Sequence, residues 1–159
     1  MQHGRKTMTR TNDLLNQIHA DATVFYQKLR AFHWTITGES FFALHQQFEE
    51  LYERWADNID EIAEREQMIG SSPLLSLNAA LRTTKLREVT AVPPARDMVS
   101  AVVADLRYLF DALTQAVNAA EQGGDRGTAN LLEEMRNKEE KALWMLEAWL
   151  KQEVAVATA

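Results

Sequence analysis

The sequence predicts an all-α chain folded as a four-helix bundle, with a short helix in the long crossover between the second and third helices. Three observations predict this. Apolar residues recur at three- and four-residue spacing over long stretches, with almost no strand-like alternation. Glycines and prolines gather at a few positions and leave those stretches nearly uninterrupted. The chain has 159 residues, 46% hydrophobic and 25% charged, which suits one domain with a sizeable core.

The first long helix is expected from about Thr11 to Thr37. Leu14, Leu15, Ile18, Ala22, Phe25, Leu29, Phe32 and Ile36 form its stripe, and Gly38 marks its end. Glu39 or Ser40 leads into the second, residues 41–69, which stops at Gly70. Residues 71–92 form a long connection. Ser72-Pro73 offers a start for the short helix, and Leu74, Leu75, Leu77 and Leu81 give it something to bury. Pro93-Pro94 opens the third long helix, with Met98, Val99, Val102, Val103, Leu106, Leu109, Phe110, Leu113 and Val117 as its stripe. Gly123-Gly124 ends it. Asp125 or Thr128 caps the fourth, which carries Leu131, Leu132, Met135, Leu143, Leu146, Trp149 and Leu150. Trp144 and Trp149 read as core or interface anchors.

Short joins after the first and third helices make antiparallel neighbours, while 71–92 is long enough to cross the bundle. Up-down-down-up with one crossover is the ferritin-like arrangement. The leucines of the short helix would leave apolar surface exposed on a lone chain, a hint of an oligomer. Residues 1–10 read as a flexible basic N-terminal tail, 11–150 as the bundle, and 151–159 as a short C-terminal tail.

Composition excludes several functions. The absence of cysteine rules out disulfides and thiolate metal sites, so a metal would need nitrogen and oxygen ligands. No apolar run approaches the roughly 20 residues that span a bilayer, and the N-terminus lacks a signal-peptide core. A cytoplasmic protein without membrane contact is expected. The net charge of −6 argues against a nucleic-acid-binding body, although residues 1–10 carry Arg5, Lys6 and Arg10 and no acid.

Five residues carry the chemical signal: His33, His45, Glu49, Asp60 and Glu64. Imidazole and carboxylate are ligand types for Fe(II), Zn(II) or Mn(II). With His45 at 0° on a helical wheel, Glu49 falls near about 40°, Asp60 near about 60° and Glu64 near about 100°. All lie on one stripe, about 120° from a core face of Phe41, Leu44, Phe48, Leu51, Tyr52, Trp55, Ile59 and Ile62. His45 and Asp60, however, are separated by roughly 22 Å of helical rise. One straight helix cannot bring both pairs to one ion. Two copies packed antiparallel across a two-fold axis near residues 54–55 can, and each pair of chains then holds two equivalent sites. The chain has no Glu-x-x-His, which disfavours a di-iron site inside one bundle. Taken singly, His33 reads as a structural histidine, and Asp60 and Glu64 as a solvated face. It is the shared stripe of His45, Glu49, Asp60 and Glu64, with the sequence around them, that favours metal. His3 and His19 fit no ligand spacing.

The stretch Phe32-His33-Trp34, Gly38, Phe41-Phe42-Ala43-Leu44-His45, Phe48-Glu49-Glu50-Leu51-Tyr52 and Asp60-Glu61-Ile62-Ala63-Glu64-Arg65 resembles the Dps family of mini-ferritins, the DNA-binding proteins from starved cells. The likeness extends over about residues 11–150. It implies a hollow homo-dodecamer built from two-fold dimers, with a ferroxidase site at each dimer interface. Fe(II) would be oxidised there, by hydrogen peroxide in preference to oxygen, and the ferric product stored inside, protecting against oxidative damage. By the same resemblance, His33 and His45 would come from one subunit and Asp60 and Glu64 from its partner, as the catalytic ligands. Glu49 stands where the family has an acid near the second iron position. Zn(II) would compete for such ligands.

The resemblance reaches further residues less tightly. Trp34 matches a tryptophan beside the family's site, where it would intercept one-electron oxidants or serve as interface packing. Asp125, Asn130, Glu133 and Glu134 stand where the family lines an iron-entry pore. Asn130 replaces a common Asp, and helix N-terminal acids favoured by the dipole are the alternative. Arg5, Lys6 and Arg10 suit sequence-independent, salt-sensitive DNA contact, with twelve tails acting together. An alternative function follows: a nucleoid-associated DNA-binding protein whose iron oxidation is secondary. Against it, twelve bodies of charge −6 would form a strongly anionic shell.

Overall fold

Each apolar stripe becomes a helix that buries that stripe. The computed structural model describes the backbone of residues 2–157 and the side chains of residues 10–151. Its elements are α1 (Gln2–Thr35), α2 (Phe41–Met68), α3 (Leu77–Thr83), α4 (Ala95–Gln122) and α5 (Arg126–Ala157). Among the described residues there is no strand, and the chain is an all-α bundle. No described helix is long and apolar enough to cross a membrane.

Three boundaries differ from expectation. α1 begins at Gln2 and α5 runs to Ala157, so helical backbone enters both segments read as tails. Neither segment contains proline, which would have stopped it. The crossover helix begins at Leu77 rather than at Ser72-Pro73. Ser76 supplies the reason, because its side chain accepts a hydrogen bond from the Ala79 N–H at 3.1 Å. α2 stops where Gly70 turns left-handed (φ 75°), which lets the Ser71 N–H reach the Glu66 carbonyl at 2.8 Å.

Paired side chains fix the helix directions. Phe25 meets Trp55 edge-on at 5.5 Å and Phe32 meets Phe48 at 5.9 Å, so α1 and α2 are antiparallel. Tyr108 bonds Asp21 and Lys28 bonds Asp105, which runs α4 against α1. Arg96 donates to the Leu150 carbonyl and Arg107 pairs with Glu147, so α5 returns along α4. The order is up-down-down-up. The core lies between the four long helices and includes Phe25, Phe32, Phe48, Trp55, Leu106, Leu113, Leu132 and Leu146.

The crossover is tied down by one carboxylate. Asp21 is fully buried on α1. It accepts from Thr84 Oγ1 at 2.8 Å, the Lys85 N–H at 2.7 Å, Tyr108 Oη at 2.8 Å and Gln17 Nε2 at 3.1 Å. Burial, and then this bond to Asp21, push the Tyr108 phenol well above its usual value, so it stays a donor. α3 rests on α1 through Ala80 and the bond from Gln17 to the Thr83 carbonyl. The crossover's leucines face out: Leu75, just before α3, and Leu77 and Leu81 on it are exposed in the protomer, as expected from the sequence.

Asp125 starts α5. It accepts from the Thr128 backbone N–H at 3.1 Å and from the Thr128 hydroxyl, and it pairs with Arg65 of α2 at 2.6 Å. Partial burial pushes its carboxyl up. The Thr128 bonds and the Arg65 charge outweigh that and hold it below the usual 3.8. A depressed folded-state value means that this stability is present above the unfolded-state value and is lost as pH falls through the folded one. Asp125→Ala should therefore cost about 1 kcal/mol at neutral pH, the usual size of a lost N-cap. In urea unfolding, the gap between the two proteins should hold from pH 7 to about 4 and close below that.

Candidate metal centre

α1 delivers His33 near its C-terminal end, and α2 delivers His45 and Glu49 from its first three turns. The sharp join at residues 36–40 brings these helix ends together. One ligand atom each from His33, His45 and Glu49 lies within 4.8 Å of the others, close enough for one metal ion to be held among them. The residue types fit the ion as well, since all three donors are nitrogen or oxygen.

The two imidazoles are clamped by each other's backbone. His33 Nδ1 donates to the His45 carbonyl at 2.9 Å, and His45 Nδ1 donates to the His33 carbonyl at 2.8 Å. A carbonyl only accepts, so Nδ1 carries the hydrogen in both rings. In the neutral ring this tautomer places the lone pair on Nε2, the atom a metal would take, and Nδ1 is already satisfied. The rings stack at 3.7 Å and 20°. Phe41 covers His45 at 5.0 Å, and Tyr52 stands edge-on to His33 at 5.3 Å.

Glu49 is held from one side. Tyr52 Oη donates to Glu49 Oε1 at 3.2 Å. Partial burial, and after it the Glu49 carboxylate, push the Tyr52 phenol above its usual value, so the hydroxyl keeps its proton. Sequence reasoning placed Tyr52 on the core face and missed this contact. The signal was its spacing, three residues after Glu49 and seven after His45, which puts it beside both on a helix.

Asp60 and Glu64 are not part of this cluster. Both are exposed on α2, toward its far end. The protomer thus presents three ligand-type residues at one end of α2 and two exposed carboxylates toward the other. His19, which fits no ligand spacing, is buried and bonds Glu66 at 3.0 Å instead.

The remaining expected residues are placed as follows. Trp34 is 57% exposed, with the Arg30 guanidinium 4.8 Å from its ring. Asp125 is engaged by Thr128 and Arg65, as described above. Asn130, Glu133 and Glu134 are exposed, and the two acids pair along the helix with Arg136 at 3.1 Å and Lys138 at 3.0 Å. Arg10 is exposed, while Arg5 and Lys6 lie outside the residues whose side chains are described. Trp144 is exposed and Trp149 packs partly against the core.

The ferritin-like domain family matches residues 12–154. The DNA protection during starvation protein of Brevibacillus brevis is 42% identical over 138 residues, covering 87% of this chain and 93% of that protein. The chain belongs to the Dps family. A Dps crystal structure from Bacillus brevis superposes with a TM-score of 0.88 at 40% identity, covering 91% of this chain and 97% of that one. A Dps from Vibrio cholerae, described as one of a broad superfamily of ferritin-like diiron-carboxylate proteins, gives 0.87 at 32% identity and covers 91% of each chain. A zinc-soaked Dps of Listeria innocua gives 0.86 at 30% identity, covering 89% of this chain and 96% of that one. These likenesses match Dps to this chain over the whole bundle, with the cluster of His33, His45 and Glu49 inside the matched region.

Proposed function

We propose that this Dps chain is a ferroxidase and iron-storage mini-ferritin. Its catalytic site is shared between two subunits: His33, His45 and Glu49 come from one, Asp60 and Glu64 from the other. The observation that carries this reading is the half-built site. Three ligand-type residues converge, and two exposed acids stand on the same helix too far along it to join them. An antiparallel pair of α2 helices would bring each half to the other. The exposed leucines of the crossover supply apolar surface for such pairing.

The chemistry follows from the ligand set. Iron is the substrate. Neutral imidazoles and carboxylates hold Fe(II) with few protein ligands, leaving positions for the oxidant. Two Fe(II) ions give two electrons to one hydrogen peroxide, which becomes two waters on taking up two protons. No hydroxyl radical is released in that balance. The ferric ions hydrolyse and are stored as mineral within a dodecamer in the cytoplasm. The protein places the ions and excludes misdirected oxidation, while the redox chemistry is the metal's own. Zn(II), which suits the same ligands, competes.

Anaerobic Fe(II) loading followed by peroxide tests the reading. Two Fe(II) should be consumed per peroxide, and equimolar Zn(II) added first should suppress the reaction. If the assembled protein oxidises iron no faster than buffer does, the ferroxidase reading fails.

A second reading is DNA protection, favoured by the names of the relatives. Contact would run through Arg5, Lys6 and Arg10. A gel shift that weakens steeply with salt and disappears when residues 1–10 are removed is expected. A shift insensitive to both would count against tail binding.

A further inference from the structure

We infer that Tyr52 is a positioning residue that keeps Glu49 a one-oxygen ligand and so preserves an open position for the oxidant. The inference rests on the ferroxidase reading and deepens it.

The argument starts from the carboxylate. A glutamate can hold a metal through one oxygen or both. Glu49 has one oxygen, Oε1, already bonded to Tyr52 Oη at 3.2 Å. Among the described residues no other hydrogen bond to Glu49 is found, so Oε2 is left for the ion. A chelating turn of the carboxylate would draw Oε1 toward the ion and off its line to the tyrosine hydroxyl, so the bond opposes it. Tyr52 is itself fixed. Its ring stands edge-on to His33 at 5.3 Å and to Tyr26 at 6.1 Å, and it packs against the core. The hydroxyl therefore holds Glu49 from a rigid base that also touches a second ligand.

The consequence concerns turnover more than affinity. Without the hydroxyl, Glu49 is free to chelate, occupying the coordination position that peroxide needs. Binding should be kept or tightened while oxidation slows. Residues that bond a ligating group from behind commonly change affinity or activity 10–100-fold. Here the effect is assigned to the rate.

Tyr52→Phe in the assembled protein tests this, because the ring contacts with His33 and Tyr26 remain. Tyr26→Phe is the control, altering the same aromatic cluster without touching Glu49. Co(II) is the binding probe, since its visible spectrum reports coordination without requiring oxidation. Tyr52→Phe should bind Co(II) as tightly as native protein or more so, with the weaker absorption of a higher coordination number. Its rate of peroxide-driven Fe(II) oxidation at saturating iron should fall about tenfold. Tyr26→Phe should match native protein in both. Native oxidation rate in Tyr52→Phe, or equal loss of Co(II) affinity and rate, would overturn the inference. Native protein that binds Co(II) but never oxidises iron would overturn the ferroxidase reading instead, with the Co(II) spectra still deciding the role of Tyr52.

Discussion

His33→Ala and Asp60→Ala proteins, each nearly inactive alone, should regain about a quarter of the native Fe(II)-oxidising sites when unfolded together and reassembled at equal ratio. The reasoning is geometric. In the proposed dimer each site takes His33 from one chain and Asp60 from the other. Where a His33→Ala chain meets an Asp60→Ala chain, both defects fall in one site and the second site is whole. Random pairing makes half of all dimers mixed, and one of two sites in each is intact, hence a quarter. Sites closed within single chains would give no recovery at any ratio. Measuring iron oxidised per peroxide in the mixture against the separate variants decides between these outcomes. The recovery is a gain of function, so partial misfolding of a variant cannot imitate it.

Asp21→Ala should destabilise the protein by about 3–5 kcal/mol, among the largest effects expected of a single substitution. Asp21 is buried and receives four hydrogen bonds. Removing it leaves the half-buried Tyr108 hydroxyl and the Lys85 N–H without this acceptor, each costing up to about 1–3 kcal/mol where water cannot replace it. The loss should concentrate in the crossover, because Thr84 and Lys85 lie at the end of α3. Denaturant unfolding at fixed protein concentration measures the total, since assembly shifts apparent stability. Hydrogen exchange should show Lys85 and the α3 amides losing protection first. Tyr108→Phe removes one donor and leaves three, and should cost only about 1 kcal/mol. A loss of similar size in both variants would place the anchor at Tyr108 rather than Asp21.

Much of the fold was legible in the sequence. The three-four stripes, Gly70, Gly123-Gly124 and Pro93-Pro94 set four helices and a crossover, because long amphipathic periodicity leaves few other ways to bury those residues. The start of α3 was less legible. Ser72-Pro73 read as the helix start, but the helix begins at Leu77, where the Ser76 side chain accepts from the Ala79 N–H. The anchoring role of Asp21 was not legible either. Three of its four donors come from 63, 64 and 87 residues away, and nothing near it announces them.

The site divides along the same line. The placement of His45, Glu49, Asp60 and Glu64 on one stripe followed from helical geometry alone. The reciprocal bonds between His33 and His45 did not, since they join side chains to backbone across a turn. Tyr52 counted as a core residue because an aromatic at that spacing usually is one, and its hydroxyl does something its ring does not. Asp125 was legible as a cap of the last helix, but its pairing with Arg65, 60 residues away, was not.

The central claim is that each metal site is built by two chains. Anomalous diffraction from Fe(II)- or Co(II)-soaked crystals of the assembled protein tests it most directly. The account predicts metal bonded to His33, His45 and Glu49 of one protomer together with Asp60 and Glu64 of its neighbour, at every two-fold contact. Metal held entirely by one chain, or with no neighbouring carboxylate within bonding distance, would contradict it.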